Sequence, residues 1–438
     1  MGTLTTAILS LAVALGLIAI GFPIGVALGL VAFFGFWWLT NLDAALSIVR
    51  TVPFEFSANW DLTAIPMFLL MGSIVVQSGI AAALFRAAHV WLSGLPGGLA
   101  FATNMACAGF GAASGSSVAA AAAMARLAVP EMLKAGYDKA LAAGVVACGG
   151  TLAALIPPSI LFVLYGVFAE VSVAQLLMAG VLPGILTAVV YGAMIVLRCW
   201  WNPALAPAIA VENRAELRKE RWKALFEVWP LVLLILAIIG GLYAGVFTPT
   251  EVGAGGALMA LIIGWVQGRM NLEKLVAALK ESMAAAAQIF FVGMGAVMYT
   301  KFLALAGTSA MLTQMVGSWA LDPLHLVIAL SVIYLILGMF LDPLGVLLIT
   351  MPVFIPMFKA LNMDLIWLGV IVVKYIEIGL LTPPVGFNVY VVNGVVGDQI
   401  PLHTIFRGCF WFLVCEVFIM ALLIGFPQIS LFLPNSMY

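Results

Sequence analysis

The stretch Phe110-Gly111-Ala112-Ala113-Ser114-Gly115-Ser116-Ser117 interrupts a long apolar segment with small and polar residues. A second interruption, Leu341-Asp342-Pro343-Leu344-Gly345, breaks another apolar segment in the second half of the chain. Unpaired backbone groups are costly inside a bilayer, so such breaks are tolerated only where protein or water covers them. Each interruption therefore marks a candidate binding site within a membrane protein.

The composition is that of an integral membrane protein. Of 438 residues, 65% are hydrophobic and 8% are charged, and the mean hydropathy is +1.19. Soluble domains contain roughly 45 to 50% apolar residues. Because a spanning helix needs about 20 apolar residues, the apolar segments predict an all-α integral membrane protein with about ten transmembrane helices plus two re-entrant helical hairpins. The expected surroundings are a lipid bilayer, and no nucleic-acid partner is expected.

The two interruptions predict the hairpin tips. Each has about 16 apolar residues on either side, enough for two half-membrane arms, which places the first hairpin at about 97–131 and the second at about 324–360. A broken span follows each hairpin. Gly149-Gly150-Thr151 with Pro157-Pro158 interrupts the first, and Thr382-Pro383-Pro384 interrupts the second, because proline removes a helix donor.

An internal repeat relates the two halves. Pro157 and Pro383 are 226 residues apart, as are Pro158 and Pro384. The same separation relates Pro23 to Pro249, Pro130 to Pro356, and Asp138 to Asp364. An odd number of crossings between the hairpins predicts that the halves are inverted. The predicted divisions are a first repeat at 1–198 with spans 1 to 5, a cytoplasmic linker helix at 199–227, and a second repeat at 228–438 with spans 6 to 10.

The cations are distributed unevenly along this topology. Of the 18 Lys and Arg residues, 14 fall on one side, Lys374 falls within a span, and Arg50, Lys301 and Lys359 fall on the other side. The positive-inside rule makes the first side cytoplasmic. Both termini are then predicted to be extracytoplasmic, with the first hairpin entering from the cytoplasm and the second from outside.

Helix ends at the breaks offer carbonyl oxygens and amide hydrogens. Carbonyl, hydroxyl and carboxylate oxygens suit Na⁺, whereas amides and hydroxyls suit a substrate carboxylate. Ser114, Ser116 and Ser117 are candidate binding residues, although they could also be small helix-packing residues. Asp342 could bind an ion, cap the following helix, or do both. Thr151 and Thr382, beside the two helix breaks, are similar candidates.

Four charged residues within apolar sequence leave alternatives open. Arg126 could reach the cytoplasmic interface by snorkelling or contact substrate directly. Lys374 and Glu377 are three residues apart on one helical face and are predicted to neutralise each other. Glu416 has no partner that the sequence reveals.

These stretches resemble the large membrane subunit of tripartite ATP-independent periplasmic (TRAP) transporters, and the resemblance covers essentially the whole chain. Its most specific motifs are Ala113-Ser114-Gly115-Ser116-Ser117, Gly136-Tyr137-Asp138-Lys139, Gly150-Thr151 with Ile156-Pro157-Pro158-Ser159, Phe247-Thr248-Pro249-Thr250-Glu251, and Glu377-Ile378-Gly379-Leu380-Leu381-Thr382-Pro383-Pro384-Val385-Gly386.

The resemblance implies an elevator-type secondary transporter of the bacterial inner membrane, with both termini periplasmic. It also implies a periplasmic substrate-binding protein, a separate small four-helix membrane subunit, and an organic acid substrate such as a dicarboxylate or sialic acid. Na⁺ would be the coupling ion, with no other cofactor. The expected substrate contacts are Ser114, Gly115, Ser116, Arg126 and Pro158. The expected Na⁺ contacts are Ser117, Gly150, Thr151, Pro157, Asp342, Gly345, Thr382 and Pro383.

Two other functions could use the same residues. A standalone anion or proton antiporter of related hairpin architecture is the alternative transporter class. An intramembrane hydrolase using Ser114 or Ser116 is disfavoured, because no histidine lies at midplane depth in the predicted topology to act as its base. The chain is therefore not expected to be an enzyme.

Overall fold

The computed structural model describes residues 3–92, 94–207, 214–318 and 323–437, and every regular element among them is helical. This confirms the all-α prediction. The helices before residue 208 are α1 (Thr3–Ala19), α2 (Ile24–Leu39), α3 (Leu42–Ser57), α4 (Ala64–Gln77), α5 (Ile80–Leu92), α6 (Gly98–Ser114), α7 (Ser117–Lys134), α8 (Lys139–Gly150), α9 (Ile160–Ala169) and α10 (Val173–Trp201).

The second half contains a similar series of helices. They are α11 (Arg214–Tyr243), α12 (Pro249–Val266), α13 (Leu272–Leu305), α14 (Thr308–Ser318), α15 (Pro323–Gly338), α16 (Pro343–Ala360), α17 (Leu365–Gly379), α18 (Phe387–Val396), α19 (Leu402–Gly425) and α20 (Gln428–Asn435). Gly115-Ser116 of the first polar interruption lies between α6 and α7, and Leu341-Asp342 of the second lies between α15 and α16.

Six helices in the described ranges are long and apolar enough to cross a membrane, or seven if a bent pair counts as one span. That pair joins α3 to residues Asp61–Gln77 at an angle of 62°. The count of ten spans and the re-entrant course of the hairpins stay predictions.

The acidic segment from Asp43 to Asp61 suggests a short connection outside the membrane. Most of it forms the helix α3, and its position outside the membrane stays a prediction. The Asn41 side chain accepts a hydrogen bond from the Ala44 amide at 2.9 Å and caps the helix. Ile48 and Val52, four residues apart, then point into the core. A cap and a buried apolar stripe outweigh the few acids on the exposed face.

Two long helices join segments that the sequence suggests are separate. In α11 the charged residues from Arg214 onward continue into the apolar span without a break. In α13 the amphipathic stretch that begins at Leu272 likewise continues to Leu305. The predicted division at residue 228 therefore lies inside a continuous helix.

The helix bounds follow the 226-residue register. Moving α7 by 226 positions gives 343–360, the bounds of α16, and moving α2 gives 250–265, within one residue of the bounds of α12. The packing is also reciprocal, since α2 packs on α13 and α4 on α12, while α8 packs on α19 and α10 on α17. In the 226-residue register α2 corresponds to α12 and α4 to part of α13, while α8 corresponds to α17 and α10 to α19. Each packed pair of helices thus has an equivalent pair with the halves reversed. The inverted orientation of the halves in the membrane stays a prediction.

The main hydrophobic core includes Phe110, Phe162 and Phe412 among α6–α10 and α15–α19, and it extends into α4, α5 and α11–α13. A second core joins α1, α2 and α3 to α13 and α16 around Leu28 and Tyr299. Close backbone approach brings α2 and α13 together: a Cβ on Gly25 would lie 2.6 Å from the carbonyl oxygen of Phe291. We call α2–α4 with α12 and α13 the long-helix group, and both cores pack the hairpins and broken helices against it.

Candidate functional site

The first tip is a single left-handed turn between two helices. Gly115 ends α6 with φ +64°, a conformation that costs other residues energy. Ser116 starts α7 as its N-cap, and its Oγ accepts a hydrogen bond from the Ala119 amide at 3.4 Å. The carbonyl oxygen of Gly115 accepts a hydrogen bond from the Ile160 amide at 3.4 Å. The tip is thereby attached to the start of α9.

The first broken helix packs directly behind this tip. Its α8 segment ends at Gly150, a 3₁₀ turn follows over Thr151–Ala154, and both Pro157 and Pro158 are buried. A Cβ on Gly150 would lie 3.0 Å from the carbonyl oxygen of Ser117, and a Cβ on Gly115 would lie 2.6 Å from that of Pro158. Glycine at both positions allows the tip and the break to touch through their backbones.

The second tip is capped by a carboxylate. Asp342 precedes α16, and its Oδ2 accepts a hydrogen bond from the Gly345 amide at 3.3 Å. Close packing again joins hairpin and broken helix, since a Cβ on Gly379 would lie 2.7 Å from the Cα of Gly338. Beyond α17, the Thr382 hydroxyl donates to the carbonyl oxygen of Ile378 at 2.7 Å.

Both tips line one cavity of about 420 Å³. Gly115, Ser116 and Ser117 contribute from the first tip, and Asp342 and Pro343 from the second. The long-helix group closes the cavity with Leu69 of α4 and with Ala285, Gln288 and Ile289 of α13. Two interruptions that are far apart in sequence thus meet at one place, where hydroxyl, carboxylate and backbone groups face an otherwise apolar wall.

The other predicted site residues lie behind the tips or away from them. Ser114 is buried, and its Oγ has no hydrogen-bond partner within the described part of the chain. Arg126 is exposed on α7 and is outside the cavity lining. The residues at the broken helices or beside the second tip, also outside the lining, are Gly150, Thr151, Pro157, Pro158, Gly345, Thr382 and Pro383. Their roles stay predictions.

Buried charges connect the first tip to the second half. The Ser117 hydroxyl donates to Glu377 Oε1 at 3.0 Å, and Glu377 is 1% exposed. Lys374 does not contact Glu377 as expected from their spacing, because its Nζ lies 2.5 Å from Glu416 Oε2 in an ion pair that is 1% and 2% exposed. The expected Lys374–Glu377 pairing is therefore wrong at the level of direct contact.

Glu416, for which the sequence reveals no partner, is the centre of this cluster. The Tyr191 hydroxyl donates a short hydrogen bond to Glu416 Oε1, and Lys374 Nζ donates to Thr187 Oγ1 at 3.3 Å. Helices α10, α17 and α19 are thereby joined inside the protein. Buried charges are costly unless they are paired, so ionisable residues within apolar sequence were the signal that a cluster of this kind exists.

The donor set of the cavity consists mainly of oxygen atoms. No group of three or more His, Cys, Asp or Glu side chains that could hold a metal occurs among the residues placed by the structure. Oxygen donors at the tips are instead backbone carbonyls, serine hydroxyls and one carboxylate. Oxygen ligands of this kind suit a hard cation, whereas hydroxyl donors and helix N-termini suit an anion.

A sequence model of the family described as "Tripartite ATP-independent periplasmic transporter, DctM component" matches residues 11–429. The C4-dicarboxylate TRAP transporter large permease protein DctM of Pseudomonas aeruginosa is 36% identical over 411 residues, which are 90% of this chain and 93% of that protein. The sialic acid TRAP transporter large permease protein SiaM of Vibrio cholerae is 32% identical over 96% of both chains.

A similar solved structure gives information about the fold but not about the function. The YdaH transporter of Alcanivorax borkumensis superposes with a TM-score of 0.66 and 16% sequence identity, covering 90% of this chain and 91% of that one. A similarity at that identity indicates a shared architecture and carries no information about substrate.

Proposed function

This chain belongs to the DctM component family of the tripartite ATP-independent periplasmic transporters, and from that premise we propose that it is the large permease subunit through which a small organic acid enters the cell together with Na⁺. One observation carries the proposal: Ser116 and Asp342, from opposite halves of the chain, line the same cavity. Substrate binds between the tips. Na⁺ binds at the two junctions of hairpin and broken helix.

An unsatisfied oxygen near the first tip supports a cation there. The buried Ser114 Oγ lacks a partner in the described structure, and it lies in the last turn of α6, where carbonyl oxygens have no partner further along the helix. Thr151 adds a buried hydroxyl at the end of α8. Hydroxyl and carbonyl oxygens arranged in this way match what Na⁺ requires of broken helices in transporters.

We further propose that the hairpins and broken helices move as a unit against the long helices. The pairs α2–α13 and α4–α12 form the fixed part, and the group of α6–α9 with α15–α18 carries the site across the membrane. Tight backbone contacts within the moving group, such as Gly115 against Pro158, favour rigid-body motion.

The substrate class follows the named relatives, which carry C4-dicarboxylates and sialic acid. Both are acids, which agrees with hydroxyl donors and a helix N-terminus at Ser116. The proposed partners are a small membrane subunit and a periplasmic substrate-binding protein, and the proposed location is the bacterial inner membrane with both termini periplasmic.

Reconstitution tests the proposal. The chain and its small subunit are placed in liposomes, and uptake of radiolabelled succinate and sialic acid is measured with and without the binding protein and an inward Na⁺ gradient. We expect uptake of one acid that requires both. Uptake of either acid that ignores the gradient and the binding protein would refute the proposal.

A proton-coupled antiporter is the second candidate, and Glu377 is the observation that favours it. Its Oε2 is buried and has no hydrogen-bond partner among the described residues, and buried carboxyls within membranes often carry protons. The same liposomes distinguish the two functions: a pH gradient without Na⁺ drives exchange only in the antiporter.

A further inference from the structure

A second cavity lies far along the chain from the hairpin tips, where α8 begins, α10 ends and α19 begins. Its volume is about 460 Å³. We call it the arginine pocket, and its lining includes Asp138, Arg198, Trp201, Asn202, Arg407 and Trp411. Neither the proposed transport site nor the buried charge cluster includes any of these residues.

The two arginines of the pocket are available to a ligand. Arg198 is half-buried with its Cζ 5.3 Å from the ring centroid of Trp411, and Arg407 is exposed. Neither forms an ion pair with any residue that the structure describes. The one carboxylate in the lining, Asp138, accepts a hydrogen bond from the Leu141 amide at 3.0 Å as the N-cap of α8.

The walls of the pocket are fixed by backbone contacts. A Cβ on Gly144 would lie 2.6 Å from the carbonyl carbon of Gly408, so α8 and α19 touch beneath the pocket. The Asp138 amide donates to the carbonyl oxygen of Leu205 at 2.9 Å, which attaches the turn after α10 to the start of α8. The arginines therefore project from a preformed cleft rather than from a loop.

The surroundings of the pocket are those of a membrane–water interface. Trp201 and Trp411 are 77% and 45% exposed at its edge, and exposed tryptophans concentrate at headgroup depth. Further along α19, Val417 and Phe418 expose 74% and 55% of their surfaces. An apolar surface thus continues from a cationic cleft toward the bilayer interior, on the side that the cation distribution predicts to be cytoplasmic.

We propose that the arginine pocket binds the phosphate headgroup of an anionic phospholipid. Arginine forms paired hydrogen bonds with phosphate oxygens, and basic pockets between membrane helices on the cytoplasmic side suit such headgroups. The acyl chains lie along the exposed apolar faces of α10 and α19. A phospholipid matches both parts of this surface, whereas a soluble phosphate matches the arginines alone.

Lipid titration of the full chain with its small subunit tests the proposal. Binding of phosphatidylglycerol and of phosphatidylcholine to the detergent-purified complex is measured by native mass spectrometry. Removing one arginine contact is expected to weaken phosphatidylglycerol binding about fivefold, so we expect Arg198→Gln with Arg407→Gln to weaken it by roughly 25-fold. Phosphatidylcholine binding stays unchanged.

A matched double variant, Lys223→Gln with Arg269→Gln, removes the same net charge outside the pocket. We expect it to bind phosphatidylglycerol within about twofold of the parent. If both double variants weakened phosphatidylglycerol binding equally, overall charge would explain the effect, and the proposal would be overturned. Arg407→Lys keeps the charge but loses the paired hydrogen bonds, so we expect it to weaken phosphatidylglycerol binding by less than the roughly fivefold loss expected for removing the arginine contact, and a larger loss would contradict the assignment.

Competition with inorganic phosphate shows whether the arginine pocket binds the phosphate of a lipid headgroup or a soluble phosphate. It is added at millimolar concentration to the complex loaded with phosphatidylglycerol. We expect the lipid to stay bound, because the phosphate lacks the acyl chains that cover α19. Displacement of the lipid by phosphate, with tighter phosphate binding that also depends on Arg198 and Arg407, would identify a site for soluble phosphates and overturn the proposal.

Discussion

The first broken helix carries Cys148 and Thr151 at positions where the second, 226 residues later, carries Lys374 and Glu377. In the first half, glycines allow the tip and the break to touch through their backbones, and Pro157 is buried. In the second half, α17 is attached to its neighbours by buried charges, and the prolines after its end are exposed.

The difference indicates that one architecture is stabilised in two ways. Close backbone packing depends on shape and leaves little space for movement. A buried ion pair depends on its partners staying together, because separating them leaves an unpaired charge. We therefore expect the first tip, whose glycine meets backbone, to be more sensitive to added volume than the second tip, whose glycine meets side chains. We expect the second broken helix to be the more sensitive to lost charge.

The largest expected effect is from Lys374→Met. It leaves Glu416 buried without its cation, which costs about 3 to 5 kcal/mol. Thermal denaturation of the detergent-purified protein should show a strongly lowered midpoint. Lys359→Met is the control, because Lys359 pairs with Glu170 at the surface at 3.2 Å and such a pair contributes less than about 1 kcal/mol.

A double variant checks the cause of that loss. Lys374→Met with Glu416→Gln removes both charges, so we expect it to be more stable than Lys374→Met alone. If the stability losses of Lys374→Met and Glu416→Gln simply add in the double variant, the ion pair does not stabilise the second broken helix. That result would contradict the proposed difference between the two halves.

Gly115→Ala is expected to have the next largest effect. The left-handed φ of +64° and a Cβ at 2.6 Å from the Pro158 carbonyl oxygen together cost about 2 to 3 kcal/mol. In the second half, Gly345→Ala meets the flexible end of Ile24 and the Asp342 carboxylate, and should cost about 1 kcal/mol. Gly394→Ala has nothing within 4 Å and is the control. Equal midpoints for the first two variants would remove the distinction between the junctions.

Ser117→Ala removes the hydrogen bond between the first tip and the second broken helix. Glu377 then loses its donor at 3.0 Å, at a cost of about 1 to 2 kcal/mol. Denaturation midpoints measure this loss, with Ser78→Ala as the control because that buried hydroxyl donates within its own helix at 3.0 Å. In a Glu377→Gln background the Ser117→Ala loss should shrink, and an undiminished loss would show that the contact does not link the halves.

The smallest effects on stability, and the most direct test of the proposed coupling between substrate and Na⁺, come from Ser116→Ala at the proposed substrate site and Thr382→Ala at a proposed Na⁺ site. Each should lower stability by at most about 1 kcal/mol, yet raise the half-saturating Na⁺ concentration for uptake about fivefold to tenfold. Thr300→Ala is the control, because Thr300 makes the same local bond to a helix carbonyl, at 2.8 Å, away from both tips. An unchanged Na⁺ response in both variants would remove the site assignment.

The sequence predicts the breaks well because they depend on local chemistry. Gly115 permits a left-handed turn, Asp342 caps the helix that follows, and Pro157 and Pro383 cannot continue a helix. The helix starts at Ser117 and Pro343 accordingly agree with the predicted tips. Contacts made by long side chains are less predictable: Lys374 could reach Glu377 on its own helix, but Glu416 of α19 offers a closer partner with Tyr191 beside it.

Hydropathy and backbone stereochemistry act over a few neighbouring residues, so they are enough to predict the membrane-embedded helical class, the positions of both hairpin tips and the 226-residue register. Three contacts between distant residues need the folded chain: Ser116 and Asp342 line one cavity, Lys374 pairs with Glu416, and Arg198 and Arg407 line a second cavity. Those contacts depend on which helix faces pack together across residues that are distant in the chain, and no local pattern specifies that choice.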